Sequence, residues 1–147
     1  MPYNFFAPKP GRFGVLPTIM NSGRLNTGTL AAGTQTHNIG GYSTKSYISK
    51  AAVCAETYPT AATSCRIELY KMTGATALAL TATGASALSI NTQAADTPIQ
   101  IPILSTLTDA QRTLQPGDSL RISIVTVGAV SVQPEDVTVS VELFVEE

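Results

Sequence analysis

His37 is the single histidine of the chain, so any serine-type hydrolytic site would have to be built around it. In such a site the imidazole takes the proton from an attacking hydroxyl, and an acid holds the ring in place. No Gly-x-Ser-x-Gly elbow presents a serine for that step. His37 sits in a Gly/Thr-rich approach to the strands that follow, and a surface or interface position is expected for it. The acid pairs Glu135-Asp136 and Glu146-Glu147 could in principle supply the two carboxylates of a glycosidase. One pair falls in a turn and the other at the end of the sequence, where solvated carboxylates are expected. Asp118 follows Pro116-Gly117 and is expected to bond local backbone. Cys54 and Cys65 are eleven positions apart, which is neither a CxxC nor a zinc spacing, and one histidine leaves a zinc ion short of ligands. No Asp-x-Asp-x-Asp calcium loop is present, and Gly40-Gly41 does not sit between strand and helix as a phosphate cradle does. The chain has no tryptophan, which weakens the case for a sugar platform. The expectation is a protein that is not an enzyme and carries no metal and no cofactor.

The two cysteines leave two readings. Both could be small buried hydrophobes in a reducing compartment. If residues 45–56 and 64–72 formed a hairpin, they could instead face each other and bridge.

Other residues concentrate at the start. Tyr3, Phe5, Phe6 and Phe13 place four of the nine aromatic residues in the first thirteen positions, among Pro2, Pro8, Pro10, Gly11 and Gly14. Proline and glycine at that density predict neither a helix nor a central strand. Residues 1–50 carry Lys9, Arg12, Arg24, Lys45 and Lys50 and no acid, while the remainder holds all ten acids against four cations. An apolar, basic, irregular arm is therefore expected over residues 1–44, leading into a folded domain at 45–147. The arm could fold back over its own domain, dock on another chain or stay disordered. Docking is favoured on three grounds. Exposed phenylalanines are anchors in search of a surface. Prolines lower the entropy lost on fixing the arm. Its cations complement an acidic surface.

The elements that must carry these residues read as strands. A chain of 147 residues fits one domain and can bury a core. Only 13% of the residues are charged, and Ser and Thr fill 32 positions, a composition that suits half-exposed strands. Alternation predicts a strand with Tyr47, Ser49, Ala51, Val53 and Ala55 on one face and Ile48, Ala52 and Cys54 on the other. Tyr47, Ala51 and Val53 are the set expected to meet a second copy. Cys65, Ile67 and Leu69 alternate with Arg66, Glu68 and Tyr70. Short strands follow at Leu78/Leu80 and Leu88/Ile90. Pro102 lacks a donor and sends the strand of Ile99, Ile101 and Ile103 to a sheet edge. Leu120, Ile122 and Ile124 are expected inward, as are Val137, Val139, Val141 and Leu143. A turn or two of helix is expected within Thr106–Leu114, and turns at 115–118 and 133–136. The fold class expected is all-β, an antiparallel β-sandwich or jelly roll.

An extended arm, a small Ser/Thr/Ala-rich sandwich and the run Leu-Gln-Pro-Gly-Asp-Ser-Leu-Arg-Ile-Ser-Ile at 114–124 together resemble the virion proteins of tailed phages. The chain is most similar in style to their capsid decoration, or cement, proteins. That resemblance implies a homo-oligomer, typically a trimer, which binds the major capsid protein where capsomers meet and stiffens the shell. It implies that Tyr3, Phe5, Phe6, Lys9, Arg12, Phe13 and Arg24 face the capsid or a neighbouring copy. The expected location is the virion surface, after synthesis in the host cytoplasm, since the opening stretch has no secretory pattern. A net charge of −1 argues against a nucleic-acid partner, and no apolar run is long enough to span a membrane. The alternative is a tail or fibre component, or a carbohydrate-binding sandwich; a hydrolase built on His37 comes last.

Overall fold

The computed structural model describes residues 18–21, 33–59, 64–91, 94–127 and 136–146. Among them run strands β1 (Thr18–Asn21), β2 (Gly33–Gly41), β3 (Ser46–Cys54), β4 (Ser64–Thr73), β5 (Thr76–Ala79), β6 (Leu88–Ser89), β7 (Ile99–Ile101), β8 (Thr113–Leu114), β9 (Ser119–Val127) and β10 (Thr138–Val145). A single helical turn, α1, covers Asp109–Arg112, and a 3-10 turn covers Gly84–Ser86. The helix falls inside the expected span. Thr108 caps it in a reciprocal box, its hydroxyl accepting from the Gln111 amide while the Gln111 side chain accepts from the Thr108 amide.

All strand pairings are antiparallel, and they run from the outside of the sequence inward. β1 pairs with β10, β2 with β9, β3 with β7 and β4 with β5. Such a chain is one long two-stranded ribbon rolled over on itself. Rolling gives two sheets, β1-β10-β3-β7 and β2-β9-β4-β5, with β8 added beside β3 and β6 beside β4. This is the strand order of a jelly roll, so the fold is the all-β sandwich the alternation predicts.

The core lies between the sheets. Leu120, Ile122 and Ile124 of β9, Ile67 and Leu69 of β4, and Val139, Val141 and Leu143 of β10 are shut off from solvent, on the faces expected. Each such side chain contributes about 1.5–3 kcal/mol by leaving water. β7 lies at its sheet's edge, as a strand flanked by Pro98 and Pro102 must. Side chains extend the ladder of β4 beyond its short partners. The Leu69 amide donates to the Thr81 hydroxyl (3.0 Å) and the Cys65 amide to Asn91 Oδ1 (2.9 Å).

Three expectations are corrected. The sandwich does not begin at residue 45, because β1 and β2 are already strands within its two sheets. Residues 45–56 and 64–72 form no hairpin: β3 and β4 belong to different sheets, so the chain between them crosses the sandwich. Nor does β3 keep strict alternation. Its pairing with β10 skips Ser49, as Leu143 opposes Ile48 and Glu142 opposes Lys50. That bulge shifts the phase by one residue, so Ile48, Ala51 and Val53 all point into the core.

Candidate functional site

The bulge settles where Tyr47, Ala51 and Val53 lie. Ala51 and Val53 are consumed in the core, at 2% and 0% exposure, and cannot face a second copy. Tyr47 sits on the opposite side of β3, half-buried under the Arg112 guanidinium, which lies 4.9 Å from its ring centre. Arg112 also donates to the Ile48 carbonyl (3.2 and 2.9 Å) and the Ser49 carbonyl (2.9 Å), the backbone groups at the bulge. The expected set is therefore divided between two faces. The arm residues Tyr3, Phe5, Phe6, Lys9, Arg12, Phe13 and Arg24 lie outside the described residues.

Two outer faces remain to meet other molecules. On the first sheet, register sets Ile19, Glu142 and Lys50 in one row across β1, β10 and β3, and Ser140, Ala52 and Gln100 in the next. The small Ala52 side chain leaves a shallow trough of about 310 Å³, bordered by Ile19, Lys50, Pro98, Gln100 and Glu142. Ile19, at 58%, is the one exposed large hydrophobic side chain among the described residues.

The second sheet presents a polar outer face. Arg66, Glu68 and Tyr70 of β4 stand beside Val125, Ser123 and Arg121 of β9, and Thr34, Thr36 and Asn38 of β2 beyond them. Glu68 is only 7% exposed. Its carboxylate accepts from the Tyr70 hydroxyl and, at 2.7 Å, from the Gly84 amide. The Arg121 guanidinium lies 4.8 Å over the Tyr70 ring, with its Nε buried and without a partner. Burial first, then the bond to Glu68 and its charge, push the Tyr70 hydroxyl up to about 12, while Arg121 pulls the other way. A phenol held that high stays protonated near neutrality and donates a hydrogen bond. The cluster is chemically a rigid polar platform. Its members carried no motif; only the alternation of β4 and β9, which puts Glu68, Tyr70 and Arg121 outward, pointed to them.

The residues weighed for chemistry are scattered. His37 points inward beside Ile122 on β2, with its Nε2 buried and unpartnered. Cys54 and Cys65 are both free thiols, on strands of different sheets. Burial pushes the Cys65 thiol up to about 11, against a weaker pull from Thr126. Glu146 pairs with Lys45 at 3.1 Å, Asp136 stands at a positive-φ position, and Glu135 and Glu147 lie outside the described residues.

Asp118 bonds local backbone as expected, its Oδ2 accepting from the Gln115 amide at 2.8 Å. It also reaches across the sandwich end, accepting from the Thr73 hydroxyl (2.7 Å) and pairing with Lys71 (3.4 Å). Burial alone would raise its carboxyl, but the Gln115 amide, the Thr73 hydroxyl and the Lys71 ammonium together hold it below the ordinary value.

Among the described residues, fold and faces define an eight-stranded jelly roll, with two short added strands, that offers broad shallow surfaces. No protein-family model matches the chain, and no curated protein matches it. Among solved structures it is similar to a chain of "Structure of infectious bursal disease virus Gx strain", with 17% identity and a TM-score of 0.43. The likeness covers 88% of this chain and 32% of that one, so the present chain spans about a third of its length.

Proposed function

We propose that this chain is a structural protein of a virus particle and, more narrowly, a decoration protein that binds the outer surface of an assembled phage capsid. The observation that carries the reading is the strand order, β1-β10-β3-β7 over β2-β9-β4-β5, because capsid subunits are among the main users of jelly rolls. The surfaces fit this reading. A decoration protein gains affinity from many modest contacts across subunit seams, which broad shallow faces supply better than a deep pocket. The phenylalanine-rich basic segment ahead of β1 adds anchors. The major capsid protein is the partner, the chain acts as a homo-oligomer, and its place is the shell exterior.

Lectin domains also use jelly rolls, which keeps a carbohydrate-binding module as the second reading. Against it, Tyr47 and Tyr70 each have one ring face occupied by a guanidinium, Arg112 and Arg121 respectively. The test is co-sedimentation of the full-length chain with empty shells assembled from the major capsid protein of the genome that encodes it. Saturable binding, lost when residues 1–17 are deleted, is the expected result. A chain that stays in the supernatant, or binds equally well without those residues, sinks the decoration reading.

A further inference from the structure

A β-sandwich leaves four sheet edges, and native proteins protect them with short strands, prolines, charges or covering segments. In this fold three of the edge strands are short. β1 and β5 each span four residues, and β7 spans three between Pro98 and Pro102. The fourth is different. β2 runs for nine residues, Gly-Thr-Gln-Thr-His-Asn-Ile-Gly-Gly, with no proline and no Asp, Glu, Lys or Arg. It pairs with β9 on one side, and among the described residues no strand pairs with its other side. Thr34, Thr36 and Asn38 on its outer face are exposed. A long, uncharged edge of this kind is a template for another strand.

We propose that this edge is the contact with a second copy of the chain, β2 pairing antiparallel with β2 about a two-fold axis through Thr36. Three features select a second copy as the occupant. Backbone groups along a strand edge are satisfied together only by another strand, and an isologous pair satisfies both edges at once. The strand carries no formal charge, so its own copy can lie opposite without setting like charges against each other. The whole chain is nearly neutral, at −1, so little long-range repulsion opposes self-association.

The register follows from the ends of the strand. Gly33 and Gly40 have positive φ, and the ladder to β9 shifts between Ile39 and Gly41, which confines regular pairing to residues 34–39. Centring on Thr36 sets Thr36 opposite Thr36 and Thr34 opposite Asn38 on the outer face, pairs of hydroxyls and amides that favour cross-strand contact. On the inner face Gln35 comes opposite His37. The two β2-containing sheets become one continuous sheet through both molecules. The inference stands apart from the virion reading: a dimer that binds no shell leaves it intact.

Light scattering on the size-fractionated full-length chain tests it. The expected mass is twice that of one chain. Thr36→Lys, which sets two ammonium groups face to face, should return the chain to monomer with an unchanged circular dichroism spectrum. Thr76→Lys, on the short β5 edge, should leave the dimer in place. Independently, Thr36→Cys should give a covalent dimer under oxidised glutathione, because directly opposed residues lie about 4.5 or 5.5 Å apart at Cα, within disulfide reach of about 4.4–6.8 Å. A monomeric wild type, an oligomer indifferent to Thr36→Lys, or a Thr36→Cys chain that does not cross-link would each overturn the proposal. If the lysine variant fails to fold, the cross-link decides.

Discussion

Arg112 and Asp118 each hold distant backbone together, and each makes a prediction. The bulge leaves Ser49 without a partner residue on β10, and Arg112 reaches the Ile48 and Ser49 carbonyls from α1. Arg112→Ala should cost about 2 kcal/mol, the worth of charged hydrogen bonds lost to partly buried acceptors. Arg112→Lys should recover less than half of that, since an ammonium cannot span the two oxygens as a planar fork does. Urea denaturation of the three proteins checks both. Asp118 predicts a pH effect. Its carboxyl in the folded chain lies below the ordinary 3.8, so its stabilisation is complete above about pH 4 and is lost as pH falls through the folded value. Thermal midpoints should therefore drop more steeply below pH 4 for the wild type than for Asp118→Asn. At this scale the Pro-Gly-Asp turn announced the local bond to Gln115. Lys71 and Thr73 could not be foreseen, because nothing in sequence ties them to a residue 45 positions away from Thr73.

Among the elements, legibility follows how evenly a strand is buried. β4, β9 and β10 each have one dry face, so their apolar residues fall at every second position and their facing is plain. β3 breaks that rhythm by one residue at Ser49, without a glycine or proline to mark it. A strict period of two thus put Ile48 on the face opposite Ala51 and Val53 and grouped Tyr47 with them. β2 is polar on both faces because it lies at an edge, and its Thr/Gln/His/Asn pattern read as an approach to the domain. The consequence for mutation is a sharp contrast between two isoleucines. Ile122→Ala, in the middle of β9 and fully buried, should destabilise by about 2–5 kcal/mol. Ile19→Ser, on β1 and mostly exposed, should stay within about 0.5 kcal/mol of wild type. Equal losses in chemical denaturation would show that the faces have been assigned wrongly.

At the scale of the molecule, composition and alternation were enough for an antiparallel sandwich, while the order of its strands was not. Pairing β1 with β10 and β2 with β9 depends on segments roughly a hundred residues apart, and no local pattern names its partner. The same order sets β1 and β2 within the two sheets. Deleting residues 1–17 removes none of the described strands, so the remaining chain should keep its β spectrum. Deleting residues 1–24 also removes β1 and leaves β10 as an open edge. That variant should lose several degrees in its melting temperature and form aggregates visible by light scattering. Comparable melting of the two truncations would mean that β1 adds nothing to the sheet.

The rolled ribbon has a consequence for how the protein is born. β10 lies between β1 and β3, and β9 lies between β2 and β4, so a central strand of each sheet comes from the last third of the chain. A nascent polypeptide that has left the ribosome only as far as residue 118 possesses both halves of each sheet with a gap where the seam should close. Folding must therefore wait until β10 has been made and proceed through contacts distant in sequence, which places it among slow folders, on a scale of milliseconds to seconds. Premature stops within codons 119–138, which remove all of β10 and, at the earlier positions, β9, should be as damaging as loss of the entire domain.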